Sequence, residues 1–411
     1  MTSSHGAMRM GDGAEPAAAG RAAFAPALPF ALASAGQTLV GRGCLDLVTV
    51  GADTPGEQVR SLLADAVAGP RLIVGALPFD TGAPAHLYRP AEATFSAGRA
   101  CFAAAFSPPA LVKAPEGSAP RWQVRAEPSL AAYRYAVAEA LARLGRAEEG
   151  LRKIVLSRSL RLVADRPVDA AALLRALAED TSVTAFCVPL EGGTPGRALV
   201  GATPELLVSR RGTAIASRPL AGSARRSPET GADRAAGEAL MASQKDLREH
   251  GEVVAAILDQ LAPHCVELSA PNQPELAATA SMWHLRTPIA GRLRDASLSA
   301  LDLALLLHPT PAVCGTPRLP AARAIAELEG YERGFYAGAV GWCDAAGDGD
   351  WHVAIRCAEI AGREARLYAG AGIVPGSDPL AEGEETSAKF AALLSALGID
   401  EDGQPLVEDC A

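Results

Sequence analysis

A hairpin pattern near the C-terminus is the feature that most constrains the fold of this chain. Two apolar segments, at residues 339–343 and 351–360, flank the turn sequence Gly347-Asp348-Gly349. Segments joined so closely are typical of a β-hairpin. Helical patterns and further strands occur elsewhere without regular alternation. The sequence therefore predicts an α+β fold and argues against a parallel, doubly wound sheet.

The organisation of the chain favours one large domain. Its 411 residues permit one large domain or two to three ordinary ones, but no linker-like tract or internal repeat is visible. Residues 1–20, rich in Gly, Ala, Ser and Met without periodicity, are predicted to form a disordered tail. The domain is expected over residues 21–400, with residues 401–411 as a C-terminal tail.

Charge and composition exclude several classes of function. The formal net charge of −9 argues against nucleic acid and anionic membranes as partners. The apolar stretch 22–33 contains prolines and lacks a basic flank, so no signal peptide is expected. No run reaches the ~18 apolar residues that a membrane span needs. The eight cysteines show no metal-type spacing, which is typical of reduced core cysteines in a cytoplasmic protein.

A helix near the C-terminus carries candidate ligands. It is expected to begin after the N-cap Asp378 and to place Glu382, Glu385 and Lys389 on one face, because their spacing is i, i+3 and i+7. A charged helix face of this kind usually contacts only solvent and has no binding role. This one follows the glycine-rich segment 370–375, interpreted as a turn that lets backbone approach a ligand. Two carboxylates near a helix start can also hold a hard cation.

A second long helix offers a further carboxylate. It is predicted over residues 233–261, with four inward-facing residues, Leu240, Leu247, Val254 and Leu258. Glu249 on this helix is, taken alone, most simply a surface residue. Together with Glu385 it could complete an oxygen-rich Mg²⁺ site.

Two titratable residues stand next to apolar strand segments. Lys153 opens a strand predicted over residues 153–163, and burial in apolar surroundings would lower its pKa toward that of a general base. Glu205 follows Thr203-Pro204 and enters an apolar strand, where desolvation would raise its pKa and favour a protonated general acid. A snorkelling lysine and a sheet-edge glutamate are the simpler alternatives.

Arg356 is a candidate anion-binding residue. On a strand over residues 351–360 it would share a face with Ala354 and Ala358, whose small side chains leave room for a ligand. A guanidinium there suits bidentate binding of a carboxylate. The alternative is an arginine paired with a structural acid.

Taken together, these motifs resemble the chorismate-utilising enzymes, the family of isochorismate, salicylate, anthranilate and aminodeoxychorismate synthases. They keep the family's order over residues 150–400. The matching stretches include Gly201-Ala-Thr-Pro-Glu-Leu-Leu-Val208, and the others are 153–158, 219–226, 245–250, 281–285, 308–315, 341–344, 355–358, 368–375 and 385–389. The resemblance implies a single α+β domain with two large, mostly antiparallel sheets packed face to face and helices outside.

The resemblance also implies roles for individual residues. Glu249 and Glu385 would ligate Mg²⁺, with Glu382 reaching it through water, and the metal would hold the ring carboxylate of chorismate. Lys153 would activate water for attack at C2, and Glu205 would protonate the departing C4 hydroxyl. The remaining substrate-binding residues implied are Gly222, Ser223, His284, Arg356, Gly370 and Lys389.

Within the family, the sequence favours the isochorismate synthases of catechol-siderophore pathways. Lys153 is present at a position where the members that use ammonia as nucleophile have no lysine, which favours water as the nucleophile. Ala221 occupies the position at which aminodeoxychorismate synthases have a nucleophilic lysine. The stretch 307–315 is similar to the synthases, whereas a salicylate synthase would go on to eliminate pyruvate. A non-catalytic chorismate-binding relative is the third reading, and the intact acid, base and metal ligands argue against it.

The sequence departs from the resembled family at two places. Residues 381–384 lack a Trp that siderophore-type members often carry, which affects the packing expected around Glu382. Arg248 stands where a His is more usual, beside the proposed metal ligand Glu249. A monomer without an amidotransferase subunit is implied. Isochorismate feeds 2,3-dihydroxybenzoate, salicylate or menaquinone, and the sequence does not select among these pathways.

Overall fold

Apolar strands build two large sheets in the computed structural model, which describes residues 24–48, 55–106, 120–146, 148, 150–192 and 194–406. The predicted N-terminal tail at residues 1–20 and the last five residues lie outside this part. The strands are β1 (Phe30–Ala33), β2 (Gln37–Arg42), β3 (Asp46–Val48), β4 (Leu72–Leu77), β5 (His86–Arg89), β6 (Glu92–Ala97), β7 (Trp122–Glu127), β8 (Lys153–Ala164), β9 (Thr184–Pro189), β10 (Ala198–Thr203), β11 (Leu206–Arg211), β12 (Ala214–Arg218), β13 (Leu220–Arg225), β14 (Cys265–Ser269), β15 (Glu275–Ala278), β16 (Met282–Arg286), β17 (Ile289–Leu293), β18 (Gly315–Thr316), β19 (Ala339–Asp344), β20 (Gly349–Val353), β21 (Cys357–Ala361) and β22 (Glu364–Ile373).

The helices connect these strands and cover the sheets. They are α1 (Pro55–Ala64), α2 (Ala100–Ala105), α3 (Leu130–Leu144), α4 (Ala170–Leu177), α5 (Thr230–Ala242), α6 (Gln244–Leu261), α7 (Ala300–Leu307), α8 (Arg318–Glu329) and α9 (Pro379–Ala396). None of the helices in the described ranges is long and apolar enough to cross a membrane.

The strands form two large sheets and one small one, and the strand pairs are antiparallel. The first sheet has the order β18-β8-β22-β21-β10-β9-β1-β2-β6, with β7 beside β8. The second has the order β14-β17-β12-β11-β20-β19-β4-β5-β3. A third sheet, β13-β16-β15, was not predicted from the sequence.

The two large sheets enclose one apolar core. Phe186 and Leu199 of the first sheet belong to the same buried cluster as Val74, Val208 and Trp351 of the second. A second cluster lies on the outer face of the first sheet, where α4 and α9 pack. The predicted α+β fold with two antiparallel sheets face to face and helices outside is therefore confirmed.

The single long helix predicted over residues 233–261 is wrong, because the chain breaks at Ser243. Its backbone is extended, with ψ of 109°, and its side chain accepts a hydrogen bond from the amide of Asp246. The serine thus ends α5 and caps α6. Because of this break, α6 does not continue the axis of α5. The residues that α6 buries are Glu249, His250, Val253, Ile257 and Leu261. The predicted inward residues Leu247, Val254 and Leu258 are only partly buried.

Two other predicted elements also differ. Residues 351–360 form two strands, β20 in the second sheet and β21 in the first, with residues 354–356 crossing between them. The segment 370–375 is mostly not a turn, because β22 continues to Ile373 in register with β8. A sequence pattern indicates that a segment has an extended backbone. Which sheet the segment joins depends on strands that are distant in the sequence.

Candidate active site

Two crossovers between the large sheets lie side by side and carry two of the predicted site residues. The chain passes from β10 to β11 through Pro204 and Glu205, and from β20 to β21 through residues 354–356. The amide of Ala202 donates to the carbonyl of Arg356 at 3.1 Å, and that of Val353 donates to the carbonyl of Glu205 at 3.1 Å. These backbone bonds hold the acid and the guanidinium at one end of the core.

A cleft opens at these crossovers. All the predicted site residues except Lys153 and Glu382 lie on its wall: Glu205, Gly222, Ser223, Glu249, His284, Arg356, Gly370, Glu385 and Lys389. They come from the first large sheet, the two crossovers, the small sheet, α6 and α9. The fold therefore gathers residues that are far apart in the sequence.

Glu205 is buried at the cleft wall, and only 2 % of its surface is exposed. Burial raises its pKa to about 8, although the amide of Leu220 and the charges of Lys153 and Arg356 act in the opposite direction. The direction predicted for this pKa is confirmed. At neutral pH the carboxyl group is mostly protonated, which is the state that a general acid requires.

Lys153 is fully buried, but its surroundings are not purely apolar as predicted. Its Nζ lies 3.0 Å from Oε1 of Glu249, and the two side chains are 0 % and 8 % exposed. A β-carbon at Gly372 would lie 1.9 Å from the same glutamate oxygen. Only glycine leaves room there for the carboxylate that pairs with the lysine.

Two more ion pairs involve residues of α9, one with α6 and one within α9 itself. Nζ of Lys245 donates to Glu382 at 2.6 Å, and Glu382 is buried behind the wall. Nζ of Lys389 lies 2.6 Å from Oε1 of Glu385, which also accepts a hydrogen bond from Ser223 at 2.8 Å. Burial raises the pKa of Glu385, but the lysine and serine contacts outweigh it and bring the pKa to about 2. Glu385 is therefore an ionised oxygen donor.

The donor set fits a hard cation. Burial lowers the pKa of Lys245, yet the charges of Glu382, Glu385 and Glu249 together raise it above its usual value. Three carboxylates thus lie close enough to one ammonium group to raise its pKa, and carboxylate oxygens are the ligands that Mg²⁺ prefers. Within the described ranges, no three His, Cys, Asp or Glu side chains are already grouped as a metal site. Each carboxylate is instead paired with a lysine.

Arg356 lies in the crossover and not, as predicted, on a strand. Its φ of 51° is outside the extended region, so it does not share a strand face with Ala354 and Ala358. No carboxylate of the described residues lies within ion-pair distance of it, and burial lowers its pKa. A guanidinium without an acidic partner, facing a cleft, suits a substrate carboxylate.

His284 reaches the cleft from the small sheet. Burial lowers its pKa to about 3, and the nearby charges of Arg356 and Lys389 act in the same direction. The ring also hydrogen bonds the backbone of Gly222. His284 is therefore neutral and can offer a hydrogen bond but no charge.

Sequence reasoning missed the two tyrosines of the cleft wall. The rings of Tyr336 and Tyr368 stack, with centroids 4.7 Å apart and planes 7° from parallel. Tyr368 begins one of the recognised motifs, but its place in the wall had no local signal. Tyr336 precedes Ala337, whose φ is 58°, so an irregular turn presents its ring.

Comparison with known proteins assigns the chain to a family. The family model described as chorismate binding enzyme matches residues 105–398, and the chain belongs to this family. The predicted resemblance is thereby confirmed.

Several relatives cover most of the chain. It is 42 % identical over 383 residues to the isochorismate synthase DhbC of Bacillus subtilis, covering 90 % of this chain and 94 % of the relative. Identity to the isochorismate synthase EntC of Escherichia coli is 40 %, covering 84 % and 87 %. A solved structure from Bacillus anthracis, assigned as a 2,3-dihydroxybenzoate-specific isochorismate synthase, has a TM-score of 0.82 and 37 % identity, covering 90 % and 96 %.

Proposed function

We propose that the chain converts chorismate to isochorismate, with water added at C2 of the ring and hydroxyl lost from C4. The relatives named isochorismate synthase support the activity. The observation that carries the mechanism is the protonated, buried Glu205 in the same cleft as the carboxylates of Glu249 and Glu385. Hydroxide is a poor leaving group, so an acid is needed on its side of the ring.

The proton balance requires a base as well as an acid. In its neutral form Lys153, behind Glu249, takes a proton from the water that attacks C2, and Glu205 gives its proton to the C4 oxygen, which leaves as water. The ion pair with Glu249 is the protonated form of the lysine. The ring double bonds shift between these carbons. Lys153 then carries one extra proton and Glu205 one fewer, and exchange with solvent restores both.

The anionic groups of the substrate have separate partners. Glu249 and Glu385 would hold Mg²⁺, with Glu382 acting through water, and such a cation supplies neutralisation of the ring carboxylate. Arg356 binds the enolpyruvyl carboxylate together with Lys389, whose Nζ donates to the carbonyl of Gly370 at 2.8 Å. Two anchors at opposite ends of the substrate fix the ring between acid and base.

The test is incubation of purified protein with chorismate and Mg²⁺ near neutral pH. Chromatography should show a mixture of chorismate and isochorismate, reached from either side, because the two isomers differ little in bonding. A coupled lactate dehydrogenase assay should detect only a trace of pyruvate. Stoichiometric pyruvate with salicylate would identify a salicylate synthase, and binding without conversion would identify a non-catalytic relative.

A further inference from the structure

A buried ion pair lies behind the cleft, outside the proposed acid, base and metal groups. Arg333 and Glu329 contact each other at 2.5 Å, with side chains 2 % and 1 % exposed. Oε1 of Glu329 also accepts hydrogen bonds from the amide and hydroxyl of Ser157, at 2.6 and 2.8 Å. Burying two charges costs desolvation energy, so stability alone is a weak reason for such a pair.

The guanidinium of Arg333 joins two walls of the cleft. It donates to the carbonyl of Val155 at 2.8 Å and to the carbonyl of Val313 at 2.7 Å. Both valines line the cleft. The amide of Val155 in turn donates to the carbonyl of Cys314 at 2.7 Å, so strand β8 and the loop after α7 are tied at two adjacent points.

These ties lie next to the proposed base. Lys153 starts β8 two residues before Val155, and its backbone pairs with Thr316 in β18. Val313 is three residues before Thr316 on the same short segment. A shift of this segment relative to β8 would therefore change the distance between the lysine and the cleft wall at Val313.

Only an arginine can make this set of contacts. The planar guanidinium presents several donors in fixed directions, so it reaches two carbonyls and a carboxylate at once. The ring of Phe79 also lies 4.2 Å from its central carbon. A lysine would keep the charge but has one nitrogen, which cannot span both carbonyls.

We propose that Arg333 is a positioning residue, which with Glu329 fixes the spacing between the Lys153 strand and the Val313 wall. This inference rests on the proposed function. With the spacing held, the base meets its water and the enolpyruvyl group keeps a geometry from which it is not eliminated. With the spacing relaxed, turnover falls and a larger share of turnovers releases pyruvate.

The experiment compares Arg333→Lys with a matched variant, Arg210→Lys. Arg210 is equally buried, pairs with Asp348 at 2.9 Å and donates to the carbonyls of Ala346 and Ala296, but it lies outside the cleft wall. Both variants replace a buried guanidinium group by an ammonium group, so we expect their melting temperatures to fall by similar amounts. We measure kcat, KM for chorismate, and pyruvate formed per isochorismate, at a temperature where both are folded.

We expect Arg333→Lys to lower kcat at least tenfold, with KM changed less than threefold, and to raise the pyruvate fraction several-fold. Arg210→Lys should stay within twofold of wild type in all three. Wild-type kinetics for Arg333→Lys, or equal effects of both variants, would overturn the proposal. If Arg333→Lys does not fold, Ser157→Ala decides: a lower kcat with more pyruvate supports the proposal, and unchanged values overturn it.

The wild-type reaction separates this inference from the proposed function. If the wild-type protein forms salicylate or no product, the proposed function fails by itself. The positioning role is then judged on whether Arg333→Lys and Arg210→Lys differ in kcat for the reaction observed, or in substrate affinity measured by calorimetry when no reaction occurs. Equal values for the two variants overturn it.

Discussion

The ammonium of Lys153 and the carboxylate of Glu249 form a buried ion pair, with Nζ and Oε1 3.0 Å apart. In the proposed mechanism one residue is the general base and the other a metal ligand. The proposed base and the proposed metal ligand are therefore electrostatically coupled. Replacing either residue by a neutral one leaves its partner charged and buried.

The first prediction concerns this pair. Lys153→Met and Glu249→Leu should each lower the free energy of unfolding by about 3–5 kcal/mol, because each leaves an uncompensated buried charge. The double variant should be more stable than either single one. Urea unfolding measures this coupling. The exposed pair of Arg161 and Glu364, 2.6 Å apart, is the control and should show a much smaller coupling. Additive effects at Lys153 and Glu249 would contradict the prediction.

The second prediction concerns the metal. Glu385→Gln removes an ionised oxygen donor from the cleft, so half-maximal activity should require at least tenfold more Mg²⁺. Its neighbour Glu384 has a side chain 71 % exposed and pairs with Arg134, which makes Glu384→Gln the matched control. Titration of Mg²⁺ against the initial rate measures the difference. An unchanged requirement in Glu385→Gln would exclude this residue as a ligand.

The third prediction concerns pH. Glu205 must be protonated to act as an acid, and its pKa is raised to about 8. The value of kcat should therefore fall about tenfold per unit well above pH 8. Glu205→Gln should lower kcat ~10²-fold or more and remove this dependence. A falling limb that persists in Glu205→Gln would assign it to another group.

The same carboxyl group should make stability depend on pH. Its pKa is higher in the folded chain than the ordinary value of 4.5. Its contribution to stability is therefore fully present below pH 4.5 and is lost as pH rises through about 8. Between pH 6 and pH 9 the free energy of unfolding should fall more in wild type than in Glu205→Gln, as measured by urea unfolding.

The fourth prediction concerns a glycine. Gly372→Ala would place a β-carbon 1.9 Å from Oε1 of Glu249, so Glu249 must move and kcat should fall at least tenfold. Gly251→Ala is the control, because a β-carbon there meets nothing within 4 Å and alanine favours the helix by about 1 kcal/mol. Rates and melting temperatures of both variants test this. Wild-type activity in Gly372→Ala would show that Glu249 is free to move.

Local features were predictable where short-range geometry decides them. The N-cap Asp378 accepts a hydrogen bond from Leu380 at the start of α9, as its position indicated. The raised pKa of Glu205 also followed from apolar neighbours in the sequence. In contrast, the helical periodicity of the sequence continues on both sides of Ser243, so it did not indicate a break there. The change of direction at Ser243 is seen only in the packed structure.

The sequence by itself determined the family, the α+β class, most of the strands and helices, and the residue types that meet in the cleft. Tertiary structure decided which sheet each strand joins, and so placed Glu205 and Arg356 on adjacent crossovers. It also paired Lys153 with Glu249 on a distant helix. Periodicity and propensity act over a few residues, whereas sheet membership, burial and ion pairing depend on groups brought together from distant parts of the chain.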